Sequence, residues 1–421
     1  MMRVQTNIAA LNTHRNLGIN QMMSGRALEK LSSGFRINRA ADDAAGLAIS
    51  EQMRGQIRGL GQAVRNAQDG ISMVQTAEGA LQEVHTILQR MRELAVQATN
   101  DTLTTSDRGQ IQREVDQLVS EVNRISNSTQ FNARVLLDGS LSAATTSQAT
   151  RLEGPVLHRD GAGNLATGGT TLISLRDTAG NSLGIASTDT IRYEAVVNGV
   201  HVTRSFTVAT GSRLGPVTGG LGTDMNTTTW ITGAVVVSGK IRFDGQSPGE
   251  VNHIAGFTMR VFDSAGTEKT TASRYLNQFV ITQVAQNAAA DNAARLMVGA
   301  NAGQLITVNI GKTNAVTLAV QGIKVDTHAQ ANIAVKVIDE ALGTVSTNRA
   351  RLGGIQNRLD HTISNLGVTA ENLTAAESRI RDADTAAEMM EFTKFNILNQ
   401  ASIAMLAQAN MQPQAVLQLL A

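Results

Sequence analysis

The sequence has no cysteine in its 421 residues, which excludes disulfides, thiolate metal sites and a cysteine nucleophile. It has only 4 prolines, so little interrupts long helices. Aromatic residues make up 3%, and the cores must therefore be built from Leu, Ile, Val, Met and Ala. No stretch approaches the roughly 18 apolar residues of a membrane span. The start, Met1-Met2-Arg3-Val4-Gln5-Thr6-Asn7, is polar and lacks the apolar region of a cleaved signal peptide. Taken alone, these signals place the protein in the cytosol. A net charge of +1 gives no reason to expect nucleic acid or an anionic membrane as partner. Nor does any Lys/Arg cluster interleave with aromatics.

What the sequence does contain is a rod. Met53, Ile57, Leu60, Val64, Ala67, Ile71 and Val74 alternate steps of four and three, and the stripe resumes through Ala77, Leu81, Val84, Leu88, Met91, Ala95 and Ala98. This is the apolar seam of a coiled coil. The two successive steps of three around Val74 and Ala77 resemble a stammer, which overwinds a supercoil locally. As one helix the segment is about 70 Å long at ~1.5 Å per residue. A compact all-α enzyme could also hold such a helix, and the two ends of the chain decide between these possibilities.

The first forty residues place Ile8, Leu11, Leu17, Met22, Leu28, Leu31 and Phe35 at rough helical spacing, with six basic side chains against the single Glu29. Gly34 suits a helix end, and Asp42-Asp43 suit the cap and first turn of the rod helix. A second helix follows in Ile111, Val115, Leu118, Val122 and Ile125, joined to the first by the polar turn Thr99–Asp107 and so antiparallel to it. From about Ser140 helical spacing gives way to Gly, Ser and Thr. Ile191, Tyr193, Ala195 and Val197 alternate up to Asn198-Gly199, and Val200, Val202, Phe206 and Val208 alternate after it, the pattern of a hairpin. Strands are also predicted at Thr170–Leu175, Trp230–Val237, Lys240–Phe243 and Thr258–Phe262. Helical character is predicted to return near Gln278–Met297, then a short β piece over Leu305–Val320. A second long seam runs through Ile338, Leu342, Val345, Leu352, Ile355, Leu359 and Leu366. The end, Phe395–Ala421, carries no charge at all, yet its Asn and Gln residues break any membrane-length run. Such a helix reads as one enclosed by neighbours after assembly. The acidic stretch Glu377–Glu391 is opposite in sign to the basic start, so the two chain ends are suited to pair.

Several fragments imitate active sites. Gly161-Ala162-Gly163-Asn164-Leu165-Ala166 fits a dinucleotide fingerprint, but strand-like sequence follows where a helix is required, and a β-turn is the better reading. Gly311-Lys312-Thr313 resembles the end of a phosphate-binding loop, but Ile306 occupies the place of its first glycine, and a hairpin tip is expected there instead. The seven histidines are scattered, and no H-E-x-x-H pair occurs. His85 reads as a residue at the edge of the seam and Trp230 as core of the β region. No metal site, cofactor or catalytic residue is expected.

The motifs at the two ends resemble a known family. Leu31-Ser32-Ser33-Gly34-Phe35-Arg36-Ile37-Asn38 with Asp42-Asp43-Ala44-Ala45-Gly46 is similar to the N-terminal signature of bacterial flagellins. So are Arg65-Asn66-Ala67-Gln68-Asp69-Gly70-Ile71-Ser72 and Arg92-Glu93-Leu94-Ala95-Val96-Gln97. Ala375-Ala376-Glu377-Ser378-Arg379-Ile380-Arg381-Asp382 and Gln400 through Leu420 resemble the C-terminal signature. The residues between about 150 and 285 match no pattern of that kind.

The resemblance implies a mainly α fold with an inserted β domain: long antiparallel helices forming a coiled-coil rod from both chain ends, a small β-hairpin in the rod, and a β-rich outer domain. It divides the chain into a terminal assembly segment (1–42), half of the rod (43–148), the variable outer domain (149–285), the rest of the rod (286–376) and a second assembly segment (377–421). It implies export by the flagellar type III apparatus without a cleaved signal, secretion, and polymerisation beneath a cap into a helical filament for swimming, with the ends folding on assembly. On this reading the assembly residues are Ile8, Leu11, Leu28, Leu31, Phe35, Ile397, Leu398, Ile403, Leu406, Leu417 and Leu420. An export chaperone takes Leu398, Ile403, Leu406 and Leu417, and cap and hook-junction proteins are further partners. A host flagellin-sensing Toll-like receptor contacts Gln89, Arg90, Leu94 and Glu114, with Met91 a small departure from the family pattern; Arg90 and Glu114 equally fit two solvated helix charges. The other readings are a hook–filament junction protein of related architecture and an enzyme on a flagellin frame.

Overall fold

The computed structural model describes residues 7–197, 199–214, 231–249 and 252–420, with side chains over the same residues except 231–234 and 412–420. Trp230 and Asn198 lie outside the described residues. The chain divides into two compact units, one of Met1–Ala67, Met297–Leu305 and His361–Ala421, the other of Gln68–Leu296 and Ile306–Asp360. It is mainly α, with β structure inserted between the helical parts.

In the terminal unit, helix α1 (Ile8–Ser33) starts where the Asn7 side chain accepts from Ala10 N–H at 3.0 Å. It ends at Gly34 in the left-handed conformation, as the sequence predicts. Helix α2 (Ala44–Ala98) begins just after Asp43, whose Oδ1 accepts from Gly46 N–H at 2.8 Å. Asp42 is a turn acceptor: its carboxylate takes the N–H groups of Asn38 and Arg39, which holds its pKa below the usual carboxylate range. The core of this unit is small. Leu60 and Ala63 of α2 meet Leu366, with Val64, Ala300, Ala370 and Leu373 around them.

The larger unit has two cores. In the first, every α2 seam residue from Val74 to Ala98 is buried, against Ile111, Val115, Val119, Val122 and Ile125 of α3 (Thr105–Ser128). A capping box starts α3: Asp107 N–H donates to Thr104 Oγ1 and the Asp107 carboxylate accepts from Thr104 N–H. After α3 comes a two-residue hairpin, β1 (Gln130–Phe131) and β2 (Arg134–Val135), whose turn residues Asn132 and Ala133 both have positive φ. The second long seam lies on a helix of 54 residues, His328–Arg381, that places Ile338, Val345 and Leu352 in this core and buries Leu359 as well. Buried Gln112 had no counterpart in the periodicity. Its amide accepts from Val325 N–H at 2.7 Å and donates to Ile323 C=O at 3.0 Å, which fixes the chain entering that helix.

The second core belongs to the β region. Strand β4 (Thr190–Val197) lies between β5 (Val200–Thr207) and β8 (Ile254–Phe262), all antiparallel. The alternation about Asn198-Gly199 is therefore the β4–β5 hairpin, with Val197 opposite Val200. A second sheet runs β6 (Ile231–Val237), β7 (Lys240–Gly245), β3 (Arg151–Val156) and β9 (Val280–Gln283). Phe243 of this sheet, Phe257 of β8 and Phe279 cluster in the shared core with centroids 4.9 to 5.3 Å apart. Tyr275, on the short helix α4 (Thr270–Leu276), donates its hydroxyl to Val156 C=O at 2.6 Å.

A five-residue turn occurs three times in this region, at Asp160–Asn164, Asp177–Asn181 and Asp263–Thr267. In each, the aspartate Oδ1 accepts from the N–H groups two and four residues on, at 2.8 to 3.1 Å. The glycine at the fourth place has φ between 79° and 84°. The fragment that imitates a dinucleotide fingerprint is the first of these turns.

Beta strand β8 is tied to the long helix at a bulge. The ladder with β4 slips between Glu194 and Val196, and this turns Gly256 N–H and Phe257 C=O off the sheet. Glu340 Oε2 accepts from Gly256 N–H at 3.2 Å, and Lys336, one turn earlier, donates to Phe257 C=O. Gly256 has φ 62°, and a Cβ there would stand 2.5 Å from Val337 Cγ2, so close approach and backbone conformation both require glycine.

Four predicted features are corrected. Thr170–Leu175 is not a strand; it holds a 3-10 turn at Leu172–Ser174 that buries Leu172. Gln278–Met297 is not helical: β9 pairs with β3 and Phe279 enters the aromatic cluster, so tertiary pairing overrides the helical preference of its Ala residues. Strand β10 (Ala294–Met297) then pairs with β11 (Leu305–Val308), which ends well short of Val320. Gly311-Lys312-Thr313 is no hairpin tip, since no strand follows it; Thr313 is buried and its N–H donates to Leu137 C=O at 2.9 Å.

Candidate functional site

The two chain ends form an antiparallel pair within the terminal unit. The long helix His328–Arg381, α5 in chain order, breaks at Asp382 and Ala383, and α6 (Thr385–Leu420) follows. At the break Arg36 N–H donates to Arg381 C=O at 2.7 Å and Ala383 N–H to Gly34 C=O at 2.9 Å. The Arg381 guanidinium lies 4.7 Å from the centroid of Phe35 and donates to Glu51 at 2.9 Å. Farther along, Lys30 pairs with Glu388 at 3.1 Å, Asn20 donates to Ser402 Oγ at 3.1 Å, and Asn7 donates to Ala409 C=O at 2.7 Å. The opposite charges of the two ends thus meet at Lys30–Glu388. The asparagine and serine contacts carry no periodic signal and were not anticipated.

This pair is poorly covered for its length. Among the described residues α1 buries only Ala27 and α6 only Ala409, whereas the 24-residue α3 buries seven. Ile8, Leu11, Leu28, Ile397, Leu398 and Ile403 are exposed; Leu31, Phe35 and Leu406 are half-buried. The side chains of Leu417 and Leu420 lie outside the described residues. Isolated helices of this kind are marginal in water, and tertiary packing normally supplies their stability. An apolar surface so long and so open is suited to being closed by further copies.

A second feature lies on the rod face of the larger unit. Arg90 Nε and Nη2 donate to Glu114 Oε1 at 3.0 and 2.9 Å, and Nη1 donates to Glu93 at 3.2 Å. The hydrogen bonds with Glu114 and Glu93 raise the Arg90 pKa. Gln89 is exposed and contacts His85 Nε2 at 3.1 Å. Leu94 corrects the predicted set: it is 2% exposed and packs in the rod core, so Gln89, Arg90 and Glu114 alone present surface. The periodicity could have signalled this, because Leu94 precedes the seam residue Ala95 and widens the buried stripe.

Long helices at both chain ends, paired with each other but apolar at the surface, with β structure inserted between them in sequence, are the features of a structural subunit. Residues 4–142 match the N-terminal helical region of bacterial flagellin, and residues 335–420 match the C-terminal helical region. The chain is 40% identical over 413 residues to a flagellin of Clostridium tyrobutyricum, covering 98% of this chain and 100% of that one. It is also 40% identical over 421 residues to a flagellin of Bacillus subtilis, covering 100% of both. Among solved structures, FliC from Burkholderia pseudomallei is 22% identical over 69% of this chain and 99% of that chain, at a TM-score of 0.27. This chain belongs to the bacterial flagellin family. It is a structural subunit of the flagellar filament, not an enzyme, and its full-length relatives favour that role over the hook–filament junction. No helix among the described residues is long and apolar enough to cross a membrane.

Proposed function

We propose that α1 and α6 are the surfaces through which this subunit polymerises, with Ile8, Leu11, Leu28, Leu31, Phe35, Ile397, Leu398, Ile403, Leu406, Leu417 and Leu420 buried between copies. The observation that carries this is that, among the described residues, these two long helices bury only Ala27 and Ala409. Head-to-tail association through such faces generates an open helical polymer. The ordering entropy of the ends opposes premature assembly before export, since it is offset only when neighbours cover them. Segments 1–42 and 377–421 form the assembly region, 43–148 and 286–376 the rod, and 149–285 the outer domain.

The same exposed face supports the partners. Secretion runs through the flagellar type III apparatus, a chaperone covers Leu398, Ile403, Leu406 and Leu417 before export, and the cap and junction proteins receive the same ends. A Toll-like receptor reads the rod through Gln89, Arg90 and Glu114, three polar side chains presented on adjacent helices.

Removing Gln412–Ala421, or substituting Leu406→Asp, tests the assembly surface. Both are expected to abolish polymerisation with the larger unit still folded, because an unpaired charge in a buried interface costs several kcal/mol and recurs in every subunit. Filaments of normal length from both variants would refute the proposal.

A further inference from the structure

The chain's 14 methionines are sharply partitioned. Met22 and Met23 on α1, and Met389, Met390, Met405 and Met411 on α6, are 37% to 70% exposed. Met297, in the same unit, is exposed as well, and Met53 is half-buried. In the larger unit Met73, Met91 and Met259 are at most 8% exposed. Among the described residues, every exposed methionine lies in the terminal unit and every buried one in the other.

Leucine would supply similar volume and hydrophobicity at these positions, but only the thioether can be oxidised. Methionine sulfoxide is polar and strongly accepts hydrogen bonds, and reductases specific for each epimer return it to methionine. Burying such a group without a donor is costly.

We propose that the six helix methionines make assembly redox-sensitive. Hydrogen peroxide reaching the unassembled chain converts them to sulfoxides and bars it from the polymer, while chains already incorporated are shielded. This rests on the reading of α1 and α6 as surfaces between copies. In the step itself the thioether sulfur attacks one peroxide oxygen, the S–O bond forms and the O–O bond breaks. Sulfur is oxidised by two electrons, and the other oxygen leaves, after proton transfer, as water. One methionine and one hydrogen peroxide give one sulfoxide and one water.

The test treats unpolymerised protein with graded hydrogen peroxide, maps sulfoxides by peptide mass spectrometry and measures seeded polymerisation. The six helix methionines are expected to oxidise at least about tenfold faster than Met73, Met91 and Met259, following exposure. Polymerisation should fall as their sulfoxide content rises, and the two sulfoxide reductases together should restore it. A variant in which all six are replaced, Met22→Leu, Met23→Leu, Met389→Leu, Met390→Leu, Met405→Leu and Met411→Leu, should polymerise equally before and after peroxide. If that variant cannot polymerise at all, reductase rescue decides alone. Unchanged polymerisation of chains bearing the sulfoxides, or loss that reductases do not reverse, overturns the redox proposal. Preformed filaments provide the separate arm: these methionines should oxidise far more slowly there than in the monomer. Equal rates would instead refute the assignment of α1 and α6 as buried surfaces.

Discussion

Replacing Glu340 by glutamine should change how stability depends on pH, in a direction set by the β8 bulge. Burial pushes the Glu340 pKa from 4.5 up to about 7, against the opposing effects of Gly256 N–H and Lys336. The folded state therefore holds this proton more tightly than the unfolded chain. Between pH 4.5 and 7 the native protein binds more protons, so stability contributed by Glu340 is present at low pH and lost as pH rises through that window. A shift of this size corresponds to about 3 kcal/mol in full, of which roughly 2.5 kcal/mol falls between pH 5 and pH 8. Glutamine keeps an oxygen to accept from Gly256 N–H but cannot ionise. Urea unfolding of the monomeric protein, followed by circular dichroism at pH 5, 6, 7 and 8, should show the variant gaining on the parent by about 2–3 kcal/mol across that range. Lys336 has a counter-charge only once Glu340 ionises, so its influence on Glu340 is already part of the raised pKa and adds no separate cost below pH 7. Parallel profiles for parent and variant would refute the reasoning, because they would mean that Glu340 ionises as freely in the fold as in water.

His253 should act in the opposite direction. It is buried, neither ring nitrogen has a hydrogen-bond partner, and burial lowers its pKa from 6.5 to about 4. Stability associated with the neutral ring is present above pH 6.5 and lost as pH falls toward 4, so His253→Leu should flatten that acid loss by up to ~3 kcal/mol in urea titrations at pH 7 and 4.5. Arg90→Ala with Glu114→Ala removes an exposed pair and should leave the unfolding midpoint nearly unchanged while weakening receptor activation in reporter cells; an unaltered dose–response would remove the receptor assignment. Replacing residues 151–280 by a short linker should leave continuous but thinner filaments by electron microscopy, and loss of all filaments with the helices still folded would count against a dispensable outer domain.

The helical parts were legible because burial there follows one period. The α2 seam from Val74 to Ala98 is buried at every predicted position, and Gly34 and Asp43 end and start helices by local geometry that a short motif encodes. The β region was legible only where strands alternate about a turn, as in β4 and β5. Strand β9 was missed because its conformation is set by pairing with β3, more than a hundred residues away. The three Asp-x-Ala-Gly-(Asn/Thr) turns did carry a signal, a repeated five-residue pattern, but at spacings too irregular for periodicity to find. For the assembly surface, the uncharged Phe395–Ala421 marked the right helix. The partners that hold it, Asn7 with Ala409 and Asn20 with Ser402, depend on a register between helices at opposite ends of the chain. Leu94 was assigned to a contact surface by family likeness, although its place beside the seam puts it in the core.

The central claim is that α6 is completed by other copies. Hydrogen exchange of Phe395–Met411, measured on the monomer and on the filament, tests it most directly. In the monomer these amides should exchange quickly, since among the described residues α6 buries only Ala409 and helices so sparsely packed open with little cost. In the filament the same amides should be among the slowest in the chain. Equal and strong protection in both states would show α6 to be an ordinary helix of the single chain and would contradict the account.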